Sequence, residues 1–364
     1  ELEPWVEFIS GMSDGTQSDS ELDQTIAFAD FRADVFSLYG EKLPEVAFRI
    51  EPSQPDSGWM ARLTSESVQG QVIIPYDSDY YLQVDLDYLY LPGEEASTQA
   101  DPALSGTGVS MPMSESPLSD EPEIDPLENL DPRELPLMRF ETDQFRIGES
   151  EYGSWAFTLT PTGIGAEFHD VNFDFRGLRL GRDSLDDSIE FLEPHFSWFY
   201  DGVQHRSELT GVLVADDISS VLEANGYAPS VESDRAVFVT EVGWPGSPAF
   251  FSNDHLGGRI NMRVDDGRFL RDSDSGGALR LVSFINLSAI FQRLRFSGDL
   301  VRNGLAFDEI TGEFDINDGL LQIKDRLVIS GPSSLYQING EVDLAEETVE
   351  GEMSITLPVS NNLP

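Results

Sequence analysis

Few residues in this sequence stand at spacings that covalent chemistry requires. Gly11-Met12-Ser13-Asp14-Gly15 has the G-x-S-x-G form of a nucleophile elbow, in which a serine sits on a sharp turn between strand and helix. The adjoining run Thr16-Gln17-Ser18-Asp19-Ser20 reads as a polar loop and not as the packed helix an elbow needs. The four histidines (169, 195, 205, 255) are scattered and show no two-His spacing that grips zinc. Asp272-Ser273-Asp274-Ser275-Gly276 begins like a calcium loop, but its glycine comes one position early and no glutamate closes it, so a β-turn is the better account. With 67 acidic residues, close carboxylate pairs are unavoidable and do not by themselves argue for a glycosidase. The absence of cysteine excludes disulfides, zinc thiolates and thiol catalysis. The expectation is a protein that is not an enzyme and holds no metal or cofactor.

Charge sets a second bound. Against 67 acidic residues stand 22 basic ones, a net charge of −45, which excludes nucleic acid as a partner because phosphate binding needs basic patches. Only Lys42 and Lys324 are lysines, and so acidic a surface suits a salty medium that screens self-repulsion. One window runs the other way: from 259 to 302 there are eight arginines against five acidic residues. Arg280, Arg293 and Arg295 are candidates for contact with anionic headgroups or a membrane surface. The alternative is that they pair with the surrounding Asp and Glu.

The elements that must carry these residues are almost all strands. From Phe307 onward apolar residues keep a period of two in short segments, each ended by turn chemistry. One carries Ile310, Phe314 and Ile316 to Asn317-Asp318-Gly319; the next carries Leu321, Ile323, Leu327 and Ile329 to Gly331-Pro332. A third carries Tyr336, Ile338, Val342 and Leu344, and a last carries Val349, Met353, Ile355 and Leu357. Alternate side chains of a strand face opposite ways, so these segments predict an antiparallel meander with one apolar surface. The phase flips between Phe307 and Ile310, which predicts a bulge near Asp308-Glu309. Residues 1–91 and 137–242 read the same way, with Phe173 and Phe175 in phase on one face.

Two helices interrupt the strands. One is short, at 217–225, with Ile218, Val221 and Leu222 inward and a stop at Gly226. The other, at 279–294, places Leu281, Phe284, Leu287, Phe291 and Leu294 at helical spacing; it caps the sheet or forms a movable, membrane-touching lid. Residues 92–136 hold eight prolines, eleven acidic residues, one arginine and no aromatic, which predicts a disordered insertion. No run of eighteen apolar residues occurs and the chain opens on Glu1, so it reads as a piece of something longer.

Several motifs in order, Trp244-Pro245-Gly246-Ser247-Pro248, Asp266-Gly267-Arg268-Phe269, Leu294-Arg295-Phe296, Phe307 to Phe314, Asn317-Asp318-Gly319, Gly331-Pro332-Ser333 and Gly340 to Leu344, together resemble the C-terminal region of the AsmA-like superfamily, in its YhdP branch. Weaker similarity covers most of the rest, including Gly58-Trp59, Gly70 and Asp131 to Pro136. The resemblance implies an envelope protein of Gram-negative bacteria, held in the inner membrane by an N-terminal helix, with a periplasmic body shaped as an elongated, twisted, open β-groove. The division is then β-groove strands at 1–91, the insertion at 92–136, further strands with a short helix at 137–242, and the family's C-terminal β region at 243–364.

A sheet with one apolar face must cover it with a second layer, close into a barrel, or meet a ligand. Two helices are too few to cover it, and periodicity alone does not separate a packed β-body from a groove. The resemblance implies the groove, with phospholipid as partner and the inner and outer membranes at its two ends. Groove-lining candidates are Phe173, Phe175, Phe314, Ile316, Ile323, Leu327, Ile338, Val342, Met353 and Ile355. Two other classes stay open: a non-enzymatic factor in outer-membrane assembly, and a carbohydrate-binding β-protein using the aromatic run 191–200 as a sugar platform.

Overall fold

A computed structural model of the chain describes residues 28–38, 41–53, 58–91, 125, 127–148, 150–181, 192–224, 229, 231–251, 253–270, 305–332, 334–343 and 348–356. They form one 18-stranded sheet. Its strands are β1 (Ala29–Leu38), β2 (Glu41–Pro52), β3 (Gly58–Thr64), β4 (Val68–Pro75), β5 (Leu82–Leu91), β6 (Met138–Ile147), β7 (Ser150–Thr162), β8 (Gly165–Phe175) and β9 (Leu178–Leu180). The chain continues through β10 (His195–Tyr200), β11 (His205–Ala215), β12 (Val231–Pro245), β13 (Gly257–Phe269), β14 (Leu305–Asn317), β15 (Leu320–Ile323), β16 (Leu327–Gly331), β17 (Ser334–Asp343) and β18 (Thr348–Thr356). One α-helix among the described residues, α1 (Ile218–Ala224), joins β11 to β12.

Each strand pairs with the next in sequence, with two splits. β9 and β10 share one level between β8 and β11, and β15 and β16 share one between β14 and β17. Among the described residues β1 pairs only with β2 and β18 only with β17, so the sheet does not close on itself. At about 4.8 Å per step, its sixteen levels extend about 70 Å along the curve. Beyond sheet neighbours, the one other described strand pair with more than slight contact is β2 with β5. Among the described residues no second sheet lies on the first, and no helix is long and apolar enough to cross a membrane.

Period-two patterning predicts antiparallel pairing, and sixteen levels joined by hairpins would satisfy it. The sheet departs from this at one place: β5 and β6 run parallel, Leu82 opposite Met138 and Leu91 opposite Ile147. Parallel neighbours cannot be joined by a hairpin, and the connection 92–137 is the crossover that the pairing demands. Residues 92–124 and 126, most of the segment expected to be disordered, lie outside the described residues. The remainder is built: Asp125 and residues 127–136 make specific contacts and include a 3-10 turn, Pro132–Glu134, capped by Asp131.

Three strands carry the same local kink. Glu45, Asp170 and Asp266 take left-handed backbone at φ 50°, 50° and 41°. In each case the residue two before and the residue one after point to the same face: Leu43 with Val46, Phe168 with Val171, Val264 with Gly267. A strand that breaks period two in this way bends and twists more sharply. The phase flip between Phe307 and Ile310 is real, since both are buried in one cluster. The strained residue is the partner strand's Asp266, beside Asp265, which pairs with Glu309.

Candidate functional site

The face onto which these kinks fold is apolar from one level to the next. Ile50, Ala61, Val72, Val84, Phe140 and Phe157 lie opposite one another in turn across β2 to β7. Phe157 meets Phe168 edge-on at 5.2 Å, and Phe168, Phe196, Leu209 and Val242 carry the row on to β12. A second row runs Ala215, Ala236, Val264, Ile310, Ile329, Tyr336 and Ile355 to the far edge. The opposite face carries the charges, in pairs such as Arg49 with Asp30, Arg62 with Glu51, Arg263 with Glu309 and Arg268 with Glu232. It is apolar at β11 and β12, where Val212, Val214 and Val237 are buried with Leu192 packed on them.

All ten groove-lining candidates lie on this apolar face. Phe173 and Phe175 belong to one cluster, Phe173 against Trp155 at 4.7 Å. Phe314 faces Ile323, Ile316 faces Leu321, Leu327 faces Ile338, and Val342 faces Leu321. Phe314, Ile338 and Val342 are only half-buried, and Met353, opposite Ile338, is 38% exposed. The described residues place no second layer over them. The helix candidates Leu281, Phe284, Leu287, Phe291 and Leu294, and the headgroup candidates Arg280, Arg293 and Arg295, lie outside the described residues. So do Gly11 to Gly15 and Asp272 to Gly276. Of the same basic window, Arg259, Arg263 and Arg268 are each paired with carboxylates.

Two devices flank the apolar face at its middle. At one rim, α1 lies on it with Val221 buried and Ile218 packed against the same cluster. Asp217 fixes the helix: its carboxylate accepts from the Ser219 amide at 3.0 Å and the Ser233 amide at 3.2 Å, while Ser233 Oγ accepts from the Ile218 amide. At the opposite rim the end of the crossover forms a strap over β7, β8 and β10 and on to the end of β12. Asp125 accepts from the Ser247 amide at 2.7 Å and from Ser247 Oγ at 2.6 Å. Ser247 is fully buried, and its carbonyl accepts the Trp244 indole N–H at 3.0 Å. The Gly246 carbonyl accepts from Ser207 Oγ, and Gly246 sits at φ 108°, where a Cβ would meet the Phe250 ring at 2.5 Å. The Trp-Pro-Gly-Ser-Pro run is therefore an anchor for a segment that lies 122 residues earlier in the chain.

A buried histidine completes the strap. His205 Nδ1 lies 3.0 Å from the Trp198 indole nitrogen, which can only donate, so Nδ1 accepts and the proton resides on Nε2. Nε2 then donates to the Glu128 carbonyl at 3.0 Å. Tyr200 stacks on the ring at 4.3 Å, and Arg133 lies over Tyr200 while bonding Asp131, whose carboxyl its guanidinium holds below the ordinary value. Trp198 is 3% exposed beneath this assembly, so it offers no stacking face to a sugar. Phe199 is covered by Arg206, and Phe191 lies outside the described residues.

The topology also brings together histidines that are distant in sequence. His169 on β8 and His195 on β10 approach to 5.3 Å between ring centres. His195 Nε2 lies 2.7 Å from the Glu167 carboxylate and 3.0 Å from Ser197 Oγ, which itself donates to Glu167. Because one ring nitrogen faces both partners, this is not the serine–histidine–acid relay, which needs the two nitrogens on opposite partners. Among the described residues no group of three or more His, Asp or Glu is placed to hold a metal ion.

Neither the curated proteins nor the solved structures contain a match to the chain. The family description "YhdP protein" matches it over residues 1–364, and the chain belongs to that family.

Proposed function

We propose that this segment carries phospholipid acyl chains along the apolar face of its sheet, as part of a periplasmic bridge between the inner and outer membranes. It performs no covalent chemistry. The observation that carries the reading is that face: apolar over the described levels, half-buried at Phe314, Ile338 and Val342 and exposed at Met353, with α1 and the strap over its middle but no protein layer above these four side chains among the described residues. Each methylene taken out of water onto such a surface is worth about 0.8 kcal/mol, so ten contribute about 8 kcal/mol. A strand of eight residues spans about 26 Å, wide enough to curl around fatty chains while headgroups remain in water. Membership of the YhdP family supports the reading, because the AsmA-like proteins it resembles are associated with lipid movement.

Native mass spectrometry of the protein, purified without delipidation, tests it. Phospholipid adducts are expected on the parent protein and lost from Phe314→Glu and Ile338→Glu variants that keep the β-sheet circular dichroism. An empty parent protein after isolation from phospholipid-rich membranes, or equal lipid on both variants, refutes the reading.

A further inference from the structure

One rim of the sheet differs from the other. The turns 76–81, 163–164, 201–204 and 246–256 all lie at one rim, because Leu82 pairs with Met138, Met138 with Leu159, Gly165 with Phe199, Tyr200 with His205, and Arg206 with Pro245. Each bears one large apolar side chain in solvent: Tyr80 at 67%, Ile164 at 62%, Val203 at 83% and Phe251 at 54% exposed. The other strongly exposed apolar residues belong to the edge strands β1 and β18 or to Phe28 beside β1. Among the described residues, the connections at the opposite rim carry none. Ile164, Val203 and Phe251 stand two sheet levels apart in turn, about 10 Å per step.

The charge of the rim restricts what it fits. Asp77, Asp79, Asp201, Asp254 and Asp318 stand in its turns, and the strap beside them adds Glu128, Asp131 and Glu134. Of the cations at this rim, Arg133 is bonded to Asp131, Arg206 to Glu208, and Arg139 lies over Tyr81, so the carboxylates outnumber them. Such a rim repels an anionic lipid surface, and it repels a second copy of itself.

We propose that this rim is a docking edge for a partner protein that presents basic residues around apolar pockets, one pocket per projecting turn. This surface borders the apolar face, Phe251 lying edge-on to Trp244 at 5.2 Å, and the proposal is independent of what fills that face. Apolar anchors spaced along a charged border are the usual anatomy of a protein interface, with the anchors supplying most of the affinity and the charges the orientation.

A fluorescent, synthetic amphipathic helix built of leucine and lysine serves as the basic, apolar probe, and its leucine–glutamate counterpart as control. Anisotropy titrations compare the parent protein with an Ile164→Ser, Val203→Ser, Phe251→Ser triple variant and with a conservative Ile164→Val, Val203→Ile, Phe251→Tyr variant. The lysine peptide is expected to bind the parent and the conservative variant alike, and the serine variant about tenfold more weakly. The glutamate peptide is expected to bind none of them. Equal binding by the serine variant overturns the proposal, since the attraction is then charge alone. Flotation with phosphatidylethanolamine or phosphatidylglycerol vesicles that depends on the three side chains overturns it in favour of a membrane. Self-association that depends on them overturns it in favour of a second copy.

Discussion

Asp125→Ala should open the strap without unfolding the sheet. The carboxylate accepts two hydrogen bonds from Ser247, at 2.7 and 2.6 Å, and Ser247 is fully buried. Hydrogen bonds to a charged group contribute about 1.5–3 kcal/mol each, and the variant leaves a buried amide and hydroxyl without their acceptor. Because the two bonds share one acceptor residue and water can enter once it is gone, a loss of about 3 kcal/mol is expected, not twice that. At about 1.4 kcal/mol per decade this is roughly a hundredfold rise in the open population. The loss is local, since the Glu128 carbonyl remains on His205 and Pro132 remains fully buried. Amide exchange at Ser247 and proteolysis within 125–137 read the opening; exchange in β13 and β14 reports the sheet. Less than a threefold change at Ser247 would refute the anchor. A matching loss of protection in β13 and β14 would show that the strap is part of the core.

Other perturbations address other links. Leu43→Ala, at a position 1% exposed among Val46 and Phe48, should cost about 3 kcal/mol in urea unfolding; a loss under about 1 kcal/mol would mean that the kink at Glu45 is not packed. Burial works to raise the Asp217 carboxyl, but the hydrogen bonds from Ser219, Ser233 and Ser220 outweigh it and hold the group below its ordinary 3.8. A lowered folded value stabilises at neutral pH and the gain is lost as pH falls below about 4, through the folded value. Asp217→Asn should therefore flatten the acid limb of the stability curve, and superimposable curves would count against the cap. Gly258 stands at φ 128°, where a Cβ would meet the Glu241 carbonyl oxygen at 2.1 Å, so Gly258→Ala should destabilise by more than about 1 kcal/mol and separate β12 from β13 in hydrogen exchange.

How much of this is legible in the sequence depends on the range of the interaction. Period two in β14 to β18 assigns Phe314, Ile338 and Met353 to one face because alternation is a property of each strand alone. It is silent on partner direction, so the parallel junction at Leu82 and Met138 is invisible to it. The strap is hidden for a different reason. Proline and acid content argue for disorder over 92–136 on average, yet Asp125, Glu128 and Pro132 are ordered by particular partners far along the chain. His169 and His195 likewise meet only through the register of β8 and β10. Left-handed Asp and Glu residues are signalled only indirectly, as a phase flip between Phe307 and Ile310.

The parallel pair β5 and β6 also fixes an order of events. Hairpins form between neighbours as the chain is made, and the junctions with short turns can start that way, whereas β11–β12 and β13–β14 span 216–230 and 270–304. β6 must instead find β5 after 46 intervening residues, 92–137, have closed a loop, and the seat of its strap, begun by β7 and β8, is complete only when Ser247 follows β12. Loop closure of that kind is slow. Nascent chains ending before Ser247 should thus lack a docked strap even where β5 and β6 have paired, and the docking of Asp125 should come after the two halves have joined.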